Sequence, residues 1–249
     1  MSGHSRWATI KRKKAATDAK RGNAWTKALK EVSIAARSGG DPAGNPRLRK
    51  AMEVCKSINV PGDNIIRAIK KGTGELEGAM YEELTYEGVG PAGVLLLIDV
   101  VTDNRNRTAA ELRKIFEKAN GNMSGGSAAW GFERRGQVKL DKKAATEEQL
   151  FDVALGAGAD DISDDGEEWV VTCAPESAEP IREALEAAKI HVKTTGLAMI
   201  PKNLVTVGVD DAATVLRLVE TLDDHDDVQT VWSAFELSDE AAAAVEAME

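Results

Sequence analysis

Residues 134–200 alternate between strand-like and helix-like stretches, and this order restricts the fold more than any other feature of the sequence. The strand "GQVKL" is followed by the helical stretch "TEEQLFDVALGAG", the strands "DDISD" and "EWVVTCA", the helical stretch "SAEPIREALEAAK" and the strand "HVKTTGLAMI". A β-α-β-β-α-β order is typical of a ferredoxin-like unit. We therefore expect a ferredoxin-like domain over residues 134–201.

The segments on either side of this unit are interpreted as two halves of another α/β domain. "YEELTYEG" and "AGVLLLIDVVT" predict a hairpin whose second strand is apolar on both faces and hence central, and a helix over "RTAAELRKIFEKAN" and a short strand over "GSAAWGFE" follow. After residue 201, strands over "LVTVGV" and "VQTVWSAFEL" and two helices lack a full sheet of their own. Residues 76–133 and 202–249 are therefore expected to form one discontinuous domain of the split βαβ type, with the 134–201 domain inserted in it.

The first third of the chain predicts helices only. "AWTKALKEVSIAAR", "PRLRKAMEVCKS" and "VPGDNIIRAIKKG" show apolar residues at helical spacing, and Asn45 before Pro46 is typical of a helix start. The predicted fold class is therefore α+β, with an N-terminal arm and helical bundle domain over residues 1–75 and two α/β domains after it.

Charge is distributed unevenly along the chain. The net charge is −9, but residues 1–74 contain 17 basic and five acidic residues and carry +12, so the remainder carries −21. A concentrated basic segment is typical of proteins that bind a polyanion, because neutralising phosphates releases counterions. Phosphate contacts are expected from the basic residues Arg6, Lys11, Arg12, Lys13, Lys14, Lys20, Arg21, Lys27, Lys30, Arg47, Arg49 and Lys50.

Two further features could add to a nucleic-acid site. Trp7 lies among the basic residues, where its ring could stack on an exposed base. In "TDNRNRT", a turn between a strand and a helix, Asn104, Arg105 and Arg107 could contact phosphates or bases. A capped turn with no binding role explains the same residues equally well, so both interpretations stay open.

The remaining motifs do not predict catalysis. "GVGPAG" precedes a strand rather than a helix and indicates a hairpin turn, and "DDHDD" at residues 223–227 indicates a solvated turn. The Gly-rich stretch "GNMSGGSAAW" predicts a flexible surface loop. Cys55 and Cys173 are interpreted as reduced structural thiols, and no apolar run is long enough to span a membrane. No catalytic residue, cofactor or metal ligand is predicted.

Several segments resemble the YebC family of probable transcriptional regulators, which is related to mitochondrial translational activators. They are "GHSRWATIKRKKAATDAKRG", "GGDPAGNPRLR", "YEGVGPAGV", "TDNRNRTAAE", "MIPKN" and "DDVQTVW". The resemblance implies a cytoplasmic protein with a helical domain and two α/β domains. Arg6, "NGNMSGG" and "VWSA" depart from the family pattern.

The leading hypothesis is a non-enzymatic regulator of transcription that binds double-stranded DNA. The alternative is a translation factor that binds ribosomal RNA or the ribosome through the same residues. A metal-dependent nuclease and a protein-docking adaptor are weaker hypotheses, and a basic protein is a further expected partner for the acidic body. The protein is expected to be cytoplasmic, without membrane contact, and a monomer or weak oligomer.

Overall fold

The computed structural model describes residues 18–78 and 80–247, with side chains from Gly22 onward. The described chain divides into two compact units: residues 18–129 with 213–233, which we call the N-terminal unit, and residues 130–212 with 234–247, the C-terminal unit. Helices alone occupy its first part, and mainly antiparallel sheets follow, so the predicted α+β class is confirmed. The domain boundaries near residues 75, 133 and 201 stay predictions.

Three helices open the N-terminal unit: α1 (Asp18–Ala36), α2 (Pro46–Ser57) and α3 (Gly62–Gly72). The oxygen of the Asn45 side chain accepts a hydrogen bond from the backbone N–H of Leu48 (3.0 Å), which caps α2 as predicted. Its amide group donates to the carbonyls of Ala35 (2.7 Å) and Gly39 (2.8 Å). Asn45 thus begins one helix and fixes the end of another. The helices share a core of Ala28, Val32, Ala35, Ala36, Leu48, Ala51, Cys55, Val60, Ile65 and Ala68.

A four-stranded antiparallel sheet completes the N-terminal unit. It contains β1 (Glu82–Val89), β2 (Leu95–Thr102), β3 (Asn122–Met123) and β9 (Val228–Ser233) in the order β3-β1-β2-β9. The apolar strand β2 lies between β1 and β9, as its two buried faces predict. Helix α4 (Arg105–Lys118) follows β2 and buries Leu112 and Phe116.

The Gly-rich loop after β3 is held by one carboxylate. Oε2 of Glu87 accepts hydrogen bonds from the backbone N–H groups of Ala128 and Ala129 (both 2.8 Å), and Oε1 accepts one from Gly126 (3.1 Å). These bonds lower the pKa of Glu87 below its ordinary value, with those from Ala128 and Ala129 contributing most. The predicted surface loop is therefore anchored at three backbone positions.

The C-terminal unit contains the predicted ferredoxin-like arrangement. Its elements are β4 (Phe132–Asp141), α5 (Glu147–Leu150, continued by a π-helical turn at Phe151–Leu155), β5 (Ala159–Asp164), β6 (Glu168–Cys173), α6 (Ala178–Ala187) and β7 (Thr194–Pro201). The sheet order is β5-β6-β4-β7, and all neighbours are antiparallel. Both helices pack on one face of the sheet, over a core that includes Val138, Leu140, Leu150, Val171, Ile181 and Leu185.

Two strand predictions are wrong. The separate strand expected over "GSAAWGFE" does not form: Ala129–Gly131 make a 3₁₀ turn, and β4 runs without interruption from Phe132, which pairs with Pro201 of β7, to Asp141. The single strand expected over "VQTVWSAFEL" is divided at Ala234. Its second part, β10 (Phe235–Leu237), pairs in parallel with β8 (Val205–Val207) in the C-terminal unit.

Helices α7 (Val209–Asp223) and α8 (Asp239–Ala247) complete the described chain. Within its described residues, no helix combines the length and the apolar composition that crossing a membrane requires. The thiols of Cys55 and Cys173 are both buried and free, and burial is the main cause that raises their pKa values. A raised pKa leaves less of the reactive thiolate, in agreement with a structural role.

Candidate nucleic-acid interface

A buried carboxylate, Asp227, lies where β2 ends and β9 begins. Its Oδ2 accepts hydrogen bonds from the hydroxyls of Thr108 (2.6 Å) and Thr102 (3.1 Å) and from the guanidinium of Arg107 (2.9 Å). Its Oδ1 accepts one from Nζ of Lys30 (2.5 Å). We call these five residues the Asp227 cluster. Asp227 is 3% exposed and Lys30 is 7% exposed, so this ion pair is removed from water.

The turn "TDNRNRT" brings three members of the cluster together. Thr102 ends β2, and its hydroxyl accepts a hydrogen bond from the backbone N–H of Asn104 (3.0 Å). The Asn104 side chain in turn accepts one from the N–H of Arg107 (3.1 Å) and caps α4. The capped-turn interpretation therefore describes the Asn104 side chain, whereas contact with a phosphate or base stays a prediction for this residue.

The charge of Asp227 is stabilised by its donors. Burial by itself raises the pKa of a carboxyl group, because it disfavours the charged form. Hydrogen bonds from Lys30, Thr108 and Arg107 outweigh that effect and lower the pKa of Asp227 far below its ordinary value. The cluster thus holds a carboxylate that is ionised at neutral pH and has its oxygens occupied.

The polar face of α1 lies along residues 223–227. The side-chain amide of Asn23 donates to the carbonyl of Asp224 (2.6 Å), Lys27 donates to the carbonyl of Asp223, and Lys30 donates to the carbonyl of Asp226 (2.8 Å). The three donors follow the i, i+4, i+7 spacing of one helix face. The turn "DDHDD" is therefore not simply solvated, because α1 covers its backbone and Asp227 is buried.

His225 connects this turn to α4. Its Nδ1 accepts a hydrogen bond from the backbone N–H of Asp227 (3.1 Å), and its Nε2 lies 3.0 Å from Oε2 of Glu111. A neutral imidazole that accepts at Nδ1 carries its proton on Nε2, which donates to Glu111. Glu111, His225 and Asp227 place ligand atoms within 4.8 Å of one another. A metal ion would have to displace the Nε2 proton, so hydrogen bonding accounts for the arrangement better than metal binding.

A cleft of about 700 Å³ opens beside the Asp227 cluster, and we call it the Tyr81 cleft. One wall is a single face of α4, with residues at i, i+4, i+7 and i+11. The lining residues are Thr26, Lys30, Tyr81, Asp103, Arg107, Glu111, Lys114, Ile115, Lys118, Asp224, His225, Asp226 and Asp227.

A smaller cleft of about 260 Å³, which we call the α3 cleft, shares Thr26, Lys30 and Tyr81 with the Tyr81 cleft. Its other wall is a face of α3 that carries Asn64, Arg67, Ala68 and Lys71, and its remaining lining residues are Leu29 and Ser33. The ring of Tyr81 therefore lies where the two clefts meet, with Nζ of Lys30 5.8 Å from its centroid.

The basic residues predicted from the sequence fall into different environments. Arg6, Trp7, Lys11, Arg12, Lys13 and Lys14 lie outside the described residues, as do the side chains of Lys20 and Arg21 in α1. Lys27 and Lys30 bond to the 223–227 turn. Arg107 joins the Asp227 cluster. Arg49 and Lys50 of α2 and Arg105 at the start of α4 are exposed on the surface.

Arg47 is exposed, but it forms ion pairs with two acidic residues. Its guanidinium donates to carboxylates of Glu31 on α1 and Glu83 on β1, and these bonds, with that to Glu83 the stronger, raise the pKa of Arg47 above its ordinary value. Arg47 thus joins three elements of the N-terminal unit, and its charge is matched by two acids.

Sequence reasoning missed most of the cleft residues. Lys114 and Lys118 follow "TDNRNRT" at helical spacing, and Arg67 and Lys71 lie one turn apart in α3, so periodicity could have found both basic faces. Tyr81 and Asp227 gave no comparable signal, since their environments arise from residues far away in the chain.

Two family models match this chain. One, described as the TACO1/YebC protein N-terminal domain, matches residues 5–75, and the other, described as the TACO1/YebC second and third domain, matches residues 81–235.

The segment "VWSA", which departs from the family pattern, lies in the sheet of the N-terminal unit. There Nε1 of Trp232 donates a hydrogen bond to the side chain of Asp99 (2.7 Å).

Similar proteins match over nearly the full chain. A probable transcriptional regulatory protein of Solibacter usitatus is 52% identical over 98% of this chain and 99% of its own length. One of Desulfotalea psychrophila is 51% identical over 96% and 97%. The crystal structure of a conserved hypothetical protein from Aquifex aeolicus, 40% identical, superimposes with a TM-score of 0.85 and covers 94% of this chain and 98% of that one. The chain therefore belongs to the TACO1/YebC family.

Proposed function

We propose that this protein is a cytoplasmic, non-enzymatic regulatory protein that binds nucleic acid, and that it acts on transcription through double-stranded DNA. The names of its relatives, probable transcriptional regulatory proteins, support a regulatory role. The observation that carries the proposal is the separation of charge, +12 in residues 1–74 and −21 in the remainder. The basic segment attracts phosphates, whereas the net negative charge of the remainder disfavours contact with the nucleic-acid backbone there.

Exposed basic side chains of the helical bundle support this interface. Lys56 of α2 and Arg67, Lys70 and Lys71 of α3 are exposed, and none of them pairs with a carboxylate in the described part of the chain. Uncompensated cations of this kind can neutralise phosphates, whereas Lys30 and Arg47 already have acidic partners. The proposed contacts are the basic arm (Arg6, Lys11, Arg12, Lys13, Lys14, Lys20 and Arg21) with Arg49, Lys50, Lys56, Arg67, Lys70 and Lys71.

Salt dependence of binding tests the electrostatic mechanism. Affinity for a labelled DNA duplex would be measured by fluorescence anisotropy over a series of salt concentrations. If about six phosphates are neutralised, the slope of log K against log salt should be near −5. A slope near zero would contradict the electrostatic mechanism.

A matched pair of variants locates the contact. One variant replaces Lys11, Arg12, Lys13 and Lys14 by Gln, and the control replaces Lys139, Lys142, Lys143 and Lys189 of the C-terminal unit by Gln. Both lose the same formal charge, so a general change of net charge affects them equally. We expect the first to bind weakly with a flatter salt slope and the control to bind as the unchanged protein does. Equal affinities for the two variants would contradict the proposal.

A second candidate function is regulation of translation through RNA. The Tyr81 cleft favours it, because unpaired bases that can enter a concave site are commoner in folded RNA than in duplex DNA. Sedimentation with ribosomes at moderate salt, compared with retention of promoter DNA, separates the two functions. Ribosome association without sequence-preferring DNA binding would replace the first candidate by the second.

A further inference from the structure

We infer that the Tyr81 cleft and the adjoining α3 cleft bind unpaired nucleotides of a single-stranded nucleic acid. This inference rests on the proposed function only in taking nucleic acid as the partner. It adds a site distinct from the basic arm and names the form of nucleic acid that the site accepts.

The size and shape of the Tyr81 cleft fit a nucleotide. Its volume of about 700 Å³ lies within the range of sites for small molecules, roughly 300–1,000 Å³. A duplex presents a continuous outer surface with its bases stacked inside, so it cannot enter a concavity of this size. A single strand can turn a base inward, which is how sequence-specific RNA-binding sites commonly take their ligands.

Basic side chains line both clefts along the path that a strand would take. Lys114 and Lys118 project from α4 into the Tyr81 cleft, and Arg67 and Lys71 project from α3 into the α3 cleft. All four are exposed and have no carboxylate partner among the described residues. Because Tyr81 lies between the two walls, phosphates could be held on either side of a base at its ring.

The Tyr81 cleft is lined by five acidic and four basic residues, and cations exceed carboxylates, by six to five, only when Arg67 and Lys71 of the α3 cleft are included. Asp103 and Asp227 bond to Arg107, and Glu111 bonds to His225. Asp224 and Asp226 remain exposed at the rim. Carboxylates accept hydrogen bonds from the amino groups of bases. Asp224 and Asp226 therefore offer acceptors for a base, and the basic side chains of α4 offer cations for phosphates.

Tyr81 supplies the aromatic surface that such sites use. It is half-buried and lines both clefts. Stacking of a base on an aromatic ring contributes about 1–3 kcal/mol and tolerates any base, because every base has a π-face. The site should therefore bind single strands with little sequence preference from the ring itself.

The experiment compares neighbouring residues of α4 in the full-length chain. Lys114 lines the cleft, whereas the adjacent Arg113 is exposed and does not. Affinities of Lys114→Gln and Arg113→Gln for a labelled oligouridylate and its deoxy counterpart would be measured over a salt series, with a duplex as a second probe. We expect Lys114→Gln to weaken single-strand binding severalfold and to reduce the salt slope by about 0.7, while Arg113→Gln changes neither. Duplex binding should be the same in both variants.

Tyr81 is tested by a pair of substitutions and an optical signal. Tyr81→Ala should weaken single-strand binding about tenfold, and Tyr81→Phe, which keeps the ring, should bind normally. An oligonucleotide carrying one 2-aminopurine should lose fluorescence on binding to the unchanged protein and to Tyr81→Phe, because stacking quenches it. This signal does not depend on whether Tyr81→Ala folds.

The outcomes separate this site from the proposed function. Equal single-strand affinities of Lys114→Gln and Arg113→Gln, or unchanged 2-aminopurine fluorescence, would overturn the cleft site while salt-dependent duplex binding could still stand. A chain that binds neither duplex nor single strand would overturn both. If the variants behave as expected, the site is supported. The oligonucleotide that then binds more tightly, RNA or DNA, shows which of the two nucleic acids the site prefers.

Discussion

The ammonium group of Lys30 lies 2.5 Å from Oδ1 of Asp227, although the two residues are 197 positions apart in the chain. Their side chains are only 8% and 5% exposed. The pair joins the helical bundle to the edge of the sheet within the N-terminal unit. A buried ion pair adds little stability compared with well-packed apolar residues, but loss of one member leaves the other charge buried without a partner. The pair therefore fixes the position of α1 against the 223–227 turn.

Asp227→Asn should destabilise the protein strongly. The neutral side chain leaves Lys30 buried without its counter-charge, so we expect the free energy of unfolding to fall by about 3–5 kcal/mol. Urea unfolding followed by circular dichroism measures it. Asp226→Asn is the control, since that exposed residue contacts Lys30 through its backbone carbonyl only, and a change within about 0.5 kcal/mol is expected. If the two variants unfold alike, the buried pair does not hold α1 against the turn.

Acid should unfold the protein partly through Asp227. The pKa of this carboxyl is lowered in the folded protein, so the unfolded chain binds its proton more readily and stability rises with pH across the interval between the two pKa values. Its contribution is complete above the unfolded value, about 3.9, and is lost progressively as the pH falls below it. Unfolding free energies measured from neutral to acid pH should therefore fall less steeply in Asp227→Asn than in the unchanged protein. If unfolding free energy falls equally steeply with pH in both proteins, carboxylates other than Asp227 dominate the acid sensitivity.

The sequence predicted most of the architecture because periodicity reports local burial. The β-α-β-β-α-β order of residues 134–200 and the central position of β2 follow from patterns that neighbouring residues create together. Division of "VQTVWSAFEL" at Ala234 could not be predicted in this way, since its two parts pair with β2 and β8, strands from different sheets. Pairing partners distant in the chain leave no periodic signal.

The candidate site was less predictable for the same reason. "TDNRNRT" indicated a capped turn, and Asn104 caps α4. Burial of Lys30 and Asp227 depends on α1 packing along a turn almost 200 residues later, so a lysine off the apolar stripe of α1 appeared free to bind phosphate. The composition of the turn suggested solvation of all its residues, although one of its five residues supplies the buried carboxylate.

Arg49 should contribute more to nucleic-acid binding than Arg47, although both are exposed and lie on the first turn of α2. Arg47 is held by Glu31 and Glu83, and releasing it would leave two carboxylates near an incoming phosphate. We expect Arg49→Gln to reduce the salt slope for duplex DNA by about 1, and Arg47→Gln to change it little. Fluorescence anisotropy at several salt concentrations measures both. A larger effect of Arg47→Gln would mean that its ion pairs open on binding.

Glu87→Gln should loosen the Gly-rich loop without unfolding the protein. The two oxygens of the carboxylate accept hydrogen bonds from the N–H groups of Gly126, Ala128 and Ala129. The amide of glutamine has only one acceptor oxygen, and that oxygen carries no negative charge. Hydrogen bonds to charged groups are worth about 1.5–3 kcal/mol, so exchange of these amide protons should accelerate about tenfold or more. Hydrogen exchange of the 124–130 segment, read by mass spectrometry, gives the rates. Glu117→Gln, an exposed change on α4, serves as the control and should leave them unchanged; acceleration in both variants, or in neither, would show that Glu87 does not anchor the loop.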